Sequence, residues 1–168
     1  MRHTTLFAFA VLALGFTACA SADSDKKFVE KAAMGGMMEV ELGRHATQFA
    51  SSPAVRSFGE RMVADHSRAN AELAAIAKQQ GLPVPTALDE KHRKEVSELT
   101  EKQGSDFDEA YLKMMVSDHK DVIDEFKAQA KAGKTQVDQF AAKTLPTIES
   151  HLAEAQSVKD GLDKHASL

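Results

Sequence analysis

Four long stretches of the chain carry apolar residues at alternating spacings of three and four, the pattern of a helix that buries one face. One helix cannot bury such a seam alone, so the four stretches are expected to pack against one another. The seams span residues 28–49, 55–76, 112–126 and 137–162. Proline is scarce, at 4 of 168 residues. The chain is therefore predicted to be an all-α protein.

Capping residues and helix breakers divide the chain into five predicted helices, four long and one short. They run from Ser24–Asp25 to about Ser51, from Ser52–Pro53 to Gln80–Gly81, from Thr86 to about Gly104, from Ser105 to Gly133, and from Thr135 to a fraying segment at Gly161–Leu168.

The short helix decides the predicted topology. Residues 86–103, if helical throughout, rise about 27 Å and return the chain along most of a bundle. The second and third long helices would then run parallel. One long crossover in a four-helix bundle is the ferritin-like arrangement, so residues 21–168 are predicted to form a single ferritin-like helical domain.

One ionisable residue interrupts each seam near its middle: Glu39, His66, His119 and His151. At 1.5 Å per residue, all four lie about 18–21 Å from the same predicted end of the bundle. One carboxylate and three imidazoles are thus expected to face one another at mid-bundle.

Burying these four groups costs several kcal/mol unless they satisfy one another or a cation does. Imidazole nitrogen and carboxylate oxygen are ordinary ligands of divalent metals, so the layer predicts a site for one Fe, Zn or Cu ion. The alternative is a hydrogen-bonded network that binds no metal and only fixes the register of the helices.

Several neighbours are candidate accessory residues. Asp65 and Asp118 each precede a histidine and point about 100° away from it, where they either orient an imidazole of another helix or lie in solvent on the flank. Met62 and Met115 lie one turn from His66 and His119 and either pack in the core or favour copper(I). Tyr111 either donates a hydrogen bond into the layer or packs at its rim.

Residues 1–20 have the composition of a secretory signal peptide, with Arg2 followed by the apolar run Leu6–Phe16. The segment Ala18-Cys19-Ala20 fits cleavage by the ordinary signal peptidase. Phe16-Thr17-Ala18-Cys19 instead resembles a lipobox, which would make Cys19 the lipidated first residue and attach the protein to the outer membrane. Both interpretations predict export from a bacterial cytoplasm, to the periplasm.

Charge and cysteine content exclude several classes of protein. The net charge is −4 and no basic cluster is interleaved with aromatic residues, so nucleic acid is not an expected partner. One cysteine excludes an internal disulfide and a thiolate-ligated zinc or iron–sulfur site. A metal ion, a membrane anchor at Cys19 and a second copy of the chain remain as possible partners.

Several stretches of the chain resemble a bacterial envelope family known as domain of unknown function 4142 and often described as an outer-membrane protein. They are Gly35–Gly43, Met62–His66, Phe107–Tyr111 with Asp118–His119, and Leu145–Pro146 with His151–Leu152. The resemblance covers essentially all of the chain after the predicted signal peptide. It implies a ferritin-like fold and no particular activity.

The chain departs from ferritin-like di-iron proteins, which use Glu-x-x-His on two helices. The residue three before each layer histidine is Val63, Val116 or Ile148. A single-ion site is therefore expected, serving metal handling or envelope stress protection. The alternatives are a non-catalytic structural or interaction protein and, third, a small metal-dependent oxidoreductase; the sequence favours a protein that is not an enzyme.

Overall fold

The computed structural model describes residues 16–166, with side chains from residue 22 to residue 164. Within this range the chain forms five helices and no β-strand. They are α1 (Phe16–Phe49), α2 (Pro53–Gln79), α3 (Glu90–Thr100), α4 (Gly104–Ala130) and α5 (Gln136–Ala166). The all-α class is confirmed. Residues 1–15 of the predicted signal peptide and the side chain of Cys19 lie outside the described part.

The short helix is shorter than predicted. α3 begins after Asp89, whose side chain accepts a hydrogen bond from the backbone N–H of His92 at 2.9 Å. Thr86, the predicted start, lies in the preceding irregular segment. Because α3 holds 11 residues, it rises only about 16 Å, and the extended segment before it supplies the rest of the crossover.

The first helix begins earlier than the predicted cap at Ser24–Asp25. α1 starts at Phe16 and continues through both residues. The Asp25 carboxylate is buried and accepts a hydrogen bond from Gln129 Nε2 on α4 at 2.7 Å. Asp25 therefore bonds another helix instead of capping its own.

The helices pack as two antiparallel hairpins, α1 with α2 and α4 with α5, joined by the crossover that contains α3. α2 also packs on α5, α1 packs on α4, and α3 lies against α1 and α4. Each of the four long helices thus packs mainly on two others, with a smaller contact between α1 and α5.

The α1–α2 turn lies beside the start of α4. Asp108 on α4 accepts hydrogen bonds from Ser51 and Ser52 in that turn, and Ala50 pairs with Gly104. α2 and α4 therefore begin at the same end of the helix assembly and run parallel, which is the relation that a crossover requires.

Two glycines bring α1 and α2 into close contact. An added Cβ at Gly59 would lie 2.8 Å from the Gly43 carbonyl oxygen and 2.8 Å from Ala46 Cβ. A Cβ at Gly43 would lie 2.9 Å from the Gly59 carbonyl oxygen. The absence of both side chains lets the two backbones approach directly.

The buried apolar residues form two clusters, one on each side of the predicted polar layer. The cluster nearer the α1–α2 turn includes Leu42, Phe58, Met62, Tyr111 and Met115. The other includes Phe28, Leu73, Ile123, Phe126, Phe140 and Ile148. None of the described helices is both long enough and apolar enough to cross a membrane.

Candidate metal centre

Three histidines from three helices meet between the two apolar clusters. The ring centroids of His66 and His151 are 5.1 Å apart, those of His119 and His151 are 5.5 Å apart, and those of His66 and His119 are 5.9 Å apart. One ring nitrogen of each lies within 4.8 Å of the others. His119 and His151 are each 1% exposed. The structure thus brings the three predicted imidazoles into one buried group.

Each imidazole has one nitrogen held by an oxygen. His66 Nδ1 lies 2.9 Å from Glu39 Oε2, and His151 Nε2 lies 2.9 Å from Asp65 Oδ2. His119 Nδ1 lies 2.9 Å from the backbone carbonyl of Met115. Carbonyl and carboxylate oxygens only accept, so each of these three nitrogens carries the hydrogen.

The second nitrogen of each ring has no hydrogen-bond partner among the described residues. His66 Nε2, His119 Nε2 and His151 Nδ1 are all buried. A buried polar atom without a partner destabilises the fold by about 1–3 kcal/mol. In a neutral imidazole whose other nitrogen carries the hydrogen, this atom presents a lone pair, which is what a metal ion requires of a histidine.

Glu39 joins the group from α1, where its carboxylate contacts imidazoles and lies outside the set of three mutually close ligand atoms. Its Oε2 faces His66, and its Oε1 lies 3.5 Å from His119 Nδ1. Burial alone raises the pKa of Glu39, but the charge and hydrogen bond of His66 and the charges of His119 and His151 outweigh it and lower the pKa to about 2. Glu39 is therefore an anion whose two oxygens both face imidazoles.

The three histidines differ in their affinity for protons. Burial lowers the pKa of His66, but the adjacent Glu39 charge and hydrogen bond outweigh it, and the net pKa is raised. Burial lowers the pKa of His119. Burial, together with the charges of the other two imidazoles, outweighs the Asp65 hydrogen bond and lowers the pKa of His151 to about 4. His119 and His151 are therefore neutral bases at neutral pH.

The two predicted accessory acids have different roles. Asp65 bonds His151 on the neighbouring helix and lies 3.5 Å from Arg61 Nε, so its interpretation as a solvated flank acid is wrong. Arg61 also bonds Glu154 and Ser150 on α5, which fixes this part of α2 against α5.

Asp118 contacts none of the described imidazoles. Burial and the nearby Glu39 charge raise its pKa to about 6. Asp118 directly precedes His119, just as Asp65 directly precedes His66, yet of these two acids only Asp65 contacts an imidazole.

Met62, Met115 and Tyr111 pack in the apolar cluster nearer the α1–α2 turn. Tyr111 stacks on Phe107 at a centroid distance of 5.6 Å, and within the part of the chain that the structure describes its hydroxyl has no hydrogen-bond partner. Of the two alternatives for Tyr111, a hydrogen bond into the layer and packing at its rim, the structure shows packing. Met115 contributes its backbone carbonyl to His119, a role that no residue-type pattern could have indicated.

A cavity of about 60 Å³ adjoins the histidines on the side of the second apolar cluster. His66, His151, Glu39 and Asp65 are among the residues that line it. No sequence pattern predicted this cavity, although Gly35, in the middle of a predicted helix, was a signal for it.

The fold and the site define an all-α protein with a buried group of three histidines. The sequence model of the family described as "Domain of unknown function (DUF4142)" matches residues 15–158. The chain therefore belongs to the DUF4142 family, as its motifs indicated. No curated protein and no solved structure gives a significant match.

Proposed function

We propose that this protein binds one transition-metal ion through His66, His119 and His151. The observation that carries the proposal is the pairing at each ring, where an oxygen holds one nitrogen and the other is buried without a partner. Metal-binding histidines typically donate their second N–H to a carboxylate or a backbone carbonyl in this way. The cation would satisfy three buried atoms at once.

The donor set and its charge fit a divalent ion. Imidazole nitrogens suit Zn, Cu and Fe. With metal–nitrogen bonds of about 2.0–2.1 Å in a tetrahedral site, the three nitrogens would lie about 3.3–3.4 Å apart, so the group, now within 4.8 Å, would contract around the ion. The pKa values of both Glu39 and Asp65 are lowered, which leaves two nearby anions to offset a charge of +2.

The residues favour one ion over two. A di-iron centre of the ferritin-like type requires a Glu-x-x-His motif on each of two helices. Of the described carboxylates, Glu39 alone lies within 4.0 Å of nitrogens of two of the rings, and both of its oxygens are directed at imidazoles. Glu39 and Asp65 then act by orienting His66 and His151.

Export and topology complete the proposal. The packing of α1, α2, α4 and α5, with α2 parallel to α4, supports a ferritin-like four-helix bundle. The composition of residues 1–20 supports export to the periplasm, as a soluble protein or as a lipoprotein anchored at Cys19. A role in metal handling or envelope stress protection follows, with no reaction assigned to the site.

The test is metal analysis of the purified protein after equilibration with Zn(II), Co(II) or Cu(I), beside the variant His119→Leu. This substitution removes a predicted ligand and keeps an apolar core side chain. It leaves the Met115 carbonyl and one oxygen of Glu39 without their imidazole partner. We expect one ion per wild-type chain and an affinity lower by more than about 100-fold in His119→Leu, because losing a ligand exceeds the loss of an orienting group.

The matched control is His92→Gln on α3. The His92 ring pairs with Asp89 and lies outside the group of three, so the variant is expected to bind metal like the wild type. A wild-type protein that takes up none of the three ions would contradict the proposal and favour a layer that only fixes packing.

Export is tested separately by the intact mass of the protein recovered from bacterial envelopes. A diacylglycerol adduct on Cys19 is expected for the lipoprotein, and a chain beginning at Ser21 for cleavage after Ala20. Recovery of the uncleaved chain from the cytoplasm would contradict export.

A further inference from the structure

The cavity beside the histidines connects the buried metal-ligand group with the protein surface. Its inner part is lined by His66 and His151, and its outer part by Lys31 and Glu125. The side chains of Lys31 and Glu125 are 66% and 42% exposed, and their ion pair of 2.6 Å joins α1 to α4. The cavity is therefore a passage from solvent to two of the proposed ligands.

The walls between these ends are largely apolar. Leu73, Phe126 and Phe140 line this part of the cavity, and Asn70 adds a polar group near Gly36. Since one water needs about 10–15 Å³ of such volume, about 60 Å³ holds four to six waters. The space thus suits a molecule of a few heavy atoms.

Two consecutive glycines on α1 form part of the wall, and they are not equivalent. A Cβ at Gly36 would lie 2.2 Å from Asn70 Oδ1, so packing alone accounts for that glycine. A Cβ at Gly35 would meet no atom within 4 Å. Packing does not require a glycine there, and glycine weakens the middle of a helix. The effect of Gly35 is to leave the cavity open.

Three protein ligands leave a fourth position of a tetrahedral ion open, as in catalytic zinc sites. We infer that the cavity admits a small ligand of two to four heavy atoms to this open position. The inference rests on the proposed function and adds to it the size of the ligand that the bound ion would coordinate. A purely structural metal site would have no need of the passage.

The test uses Co(II)-loaded protein with azide, three heavy atoms long, as the probe. Visible absorption of Co(II) reports its coordination, so azide binding is expected to give a saturable spectral change. In Gly35→Leu, the added side chain fills the cavity, and we expect the same Co(II) stoichiometry with azide affinity lower by at least about tenfold. Gly35→Ala, a smaller change, is expected to give an intermediate loss.

Gly161→Leu is the matched control, because a Cβ at this α5 glycine also meets nothing within 4 Å and the residue does not line the cavity. It is expected to bind azide like the wild type. Two results would overturn the inference and leave the proposed metal site intact. One is a spectrum of bound Co(II) that azide does not change, and the other is an azide affinity that is unchanged in both Gly35 variants. A wild-type protein that binds no Co(II) would overturn the proposed function, and the inference with it.

Discussion

Asp65 on α2 holds His151 on α5 through a contact of 2.9 Å between Oδ2 and Nε2. Asp65 is itself held by Arg61, one helical turn earlier. Because the contact fixes the hydrogen on His151 Nε2, it leaves Nδ1 as the basic atom of the ring. A carboxylate on one helix thus selects which nitrogen the next helix offers to a cation.

The first prediction concerns this contact. Asp65→Ala is expected to lower metal affinity by about 10–100-fold, the usual cost of removing a group that orients a metal-bound histidine. The loss arises because His151 becomes free to rotate and to exchange its tautomer. Competition with a chromophoric chelator measures the affinity.

Asp118→Ala is the matched control for Asp65→Ala, since both acids directly precede a layer histidine and only Asp65 contacts an imidazole. We expect Asp118→Ala to change the affinity less than about threefold. Equal losses in the two variants would indicate a general charge effect instead of orientation.

The depth of the polar layer could be predicted from the sequence because two simple quantities determine it. The apolar seam fixes which face of a helix is buried, and the rise per residue fixes the height of a side chain along it. These placed Glu39 with His66, and His119 with His151, at one level, and the structure brings all four together. Small errors in the helix ends did not matter, since one residue moves a side chain by only about 1.5 Å.

The hydrogen-bond partners could not be predicted, because they depend on which helices are neighbours. Asp65 points away from His66 on its own helix, and only the packing of α2 against α5 gives it a second imidazole. The same information was needed to see that Glu39 faces two ring nitrogens. Sequence periodicity identifies a buried face without identifying what lies opposite.

The second prediction concerns the contact of α1 with α2. Gly59→Ala is expected to lower the free energy of unfolding by about 1–3 kcal/mol, because its Cβ would lie 2.8 Å from the Gly43 carbonyl oxygen and force the backbones apart. Urea unfolding measures the change. Gly161→Ala has free space around its Cβ and is expected to stabilise the protein by about 0.5–1 kcal/mol. If Gly59→Ala instead stabilised the protein, α1 and α2 would be able to move apart without a loss of folding free energy.

The third prediction concerns the turn between α1 and α2. Asp108 is 1% exposed and accepts three hydrogen bonds, from Ser51 N at 3.1 Å, Ser51 Oγ at 2.7 Å and Ser52 N at 2.7 Å. Asp108→Ala is expected to destabilise the protein by about 2–4 kcal/mol, because bonds to a charged group contribute about 1.5–3 kcal/mol each and are not additive. The denaturation midpoint measures the loss. The control is exposed Asp106, which lies in the first turn of α4 two residues before Asp108. Asp106→Ala should lower the stability by less than about 1 kcal/mol.

The fourth prediction is a pH dependence set by the start of α5. Asp138 Oδ2 accepts hydrogen bonds from the backbone N–H groups of Lys134 and Thr135, at 2.8 and 3.0 Å, and Oδ1 accepts one from Gln129 at 2.7 Å. Burial raises the pKa of Asp138, but these bonds outweigh it and lower the pKa below its ordinary value of 3.8.

Because the folded-state pKa of Asp138 is the lower one, the stabilisation is fully present above pH 3.8 and is lost as pH falls through the folded-state pKa. We therefore expect Asp138→Asn to destabilise the metal-free protein by about 1–2 kcal/mol at pH 7, and the difference from wild type to narrow below pH 3.8. Urea unfolding of the variant and the wild type at pH 7 and at pH 3 measures the difference in stability at each pH. The control is Asp124→Asn, a substitution of the same type at an exposed residue. A deficit of the same size at both pH values would show that the Asp138 side chain stabilises α5 by its shape, independently of its charge.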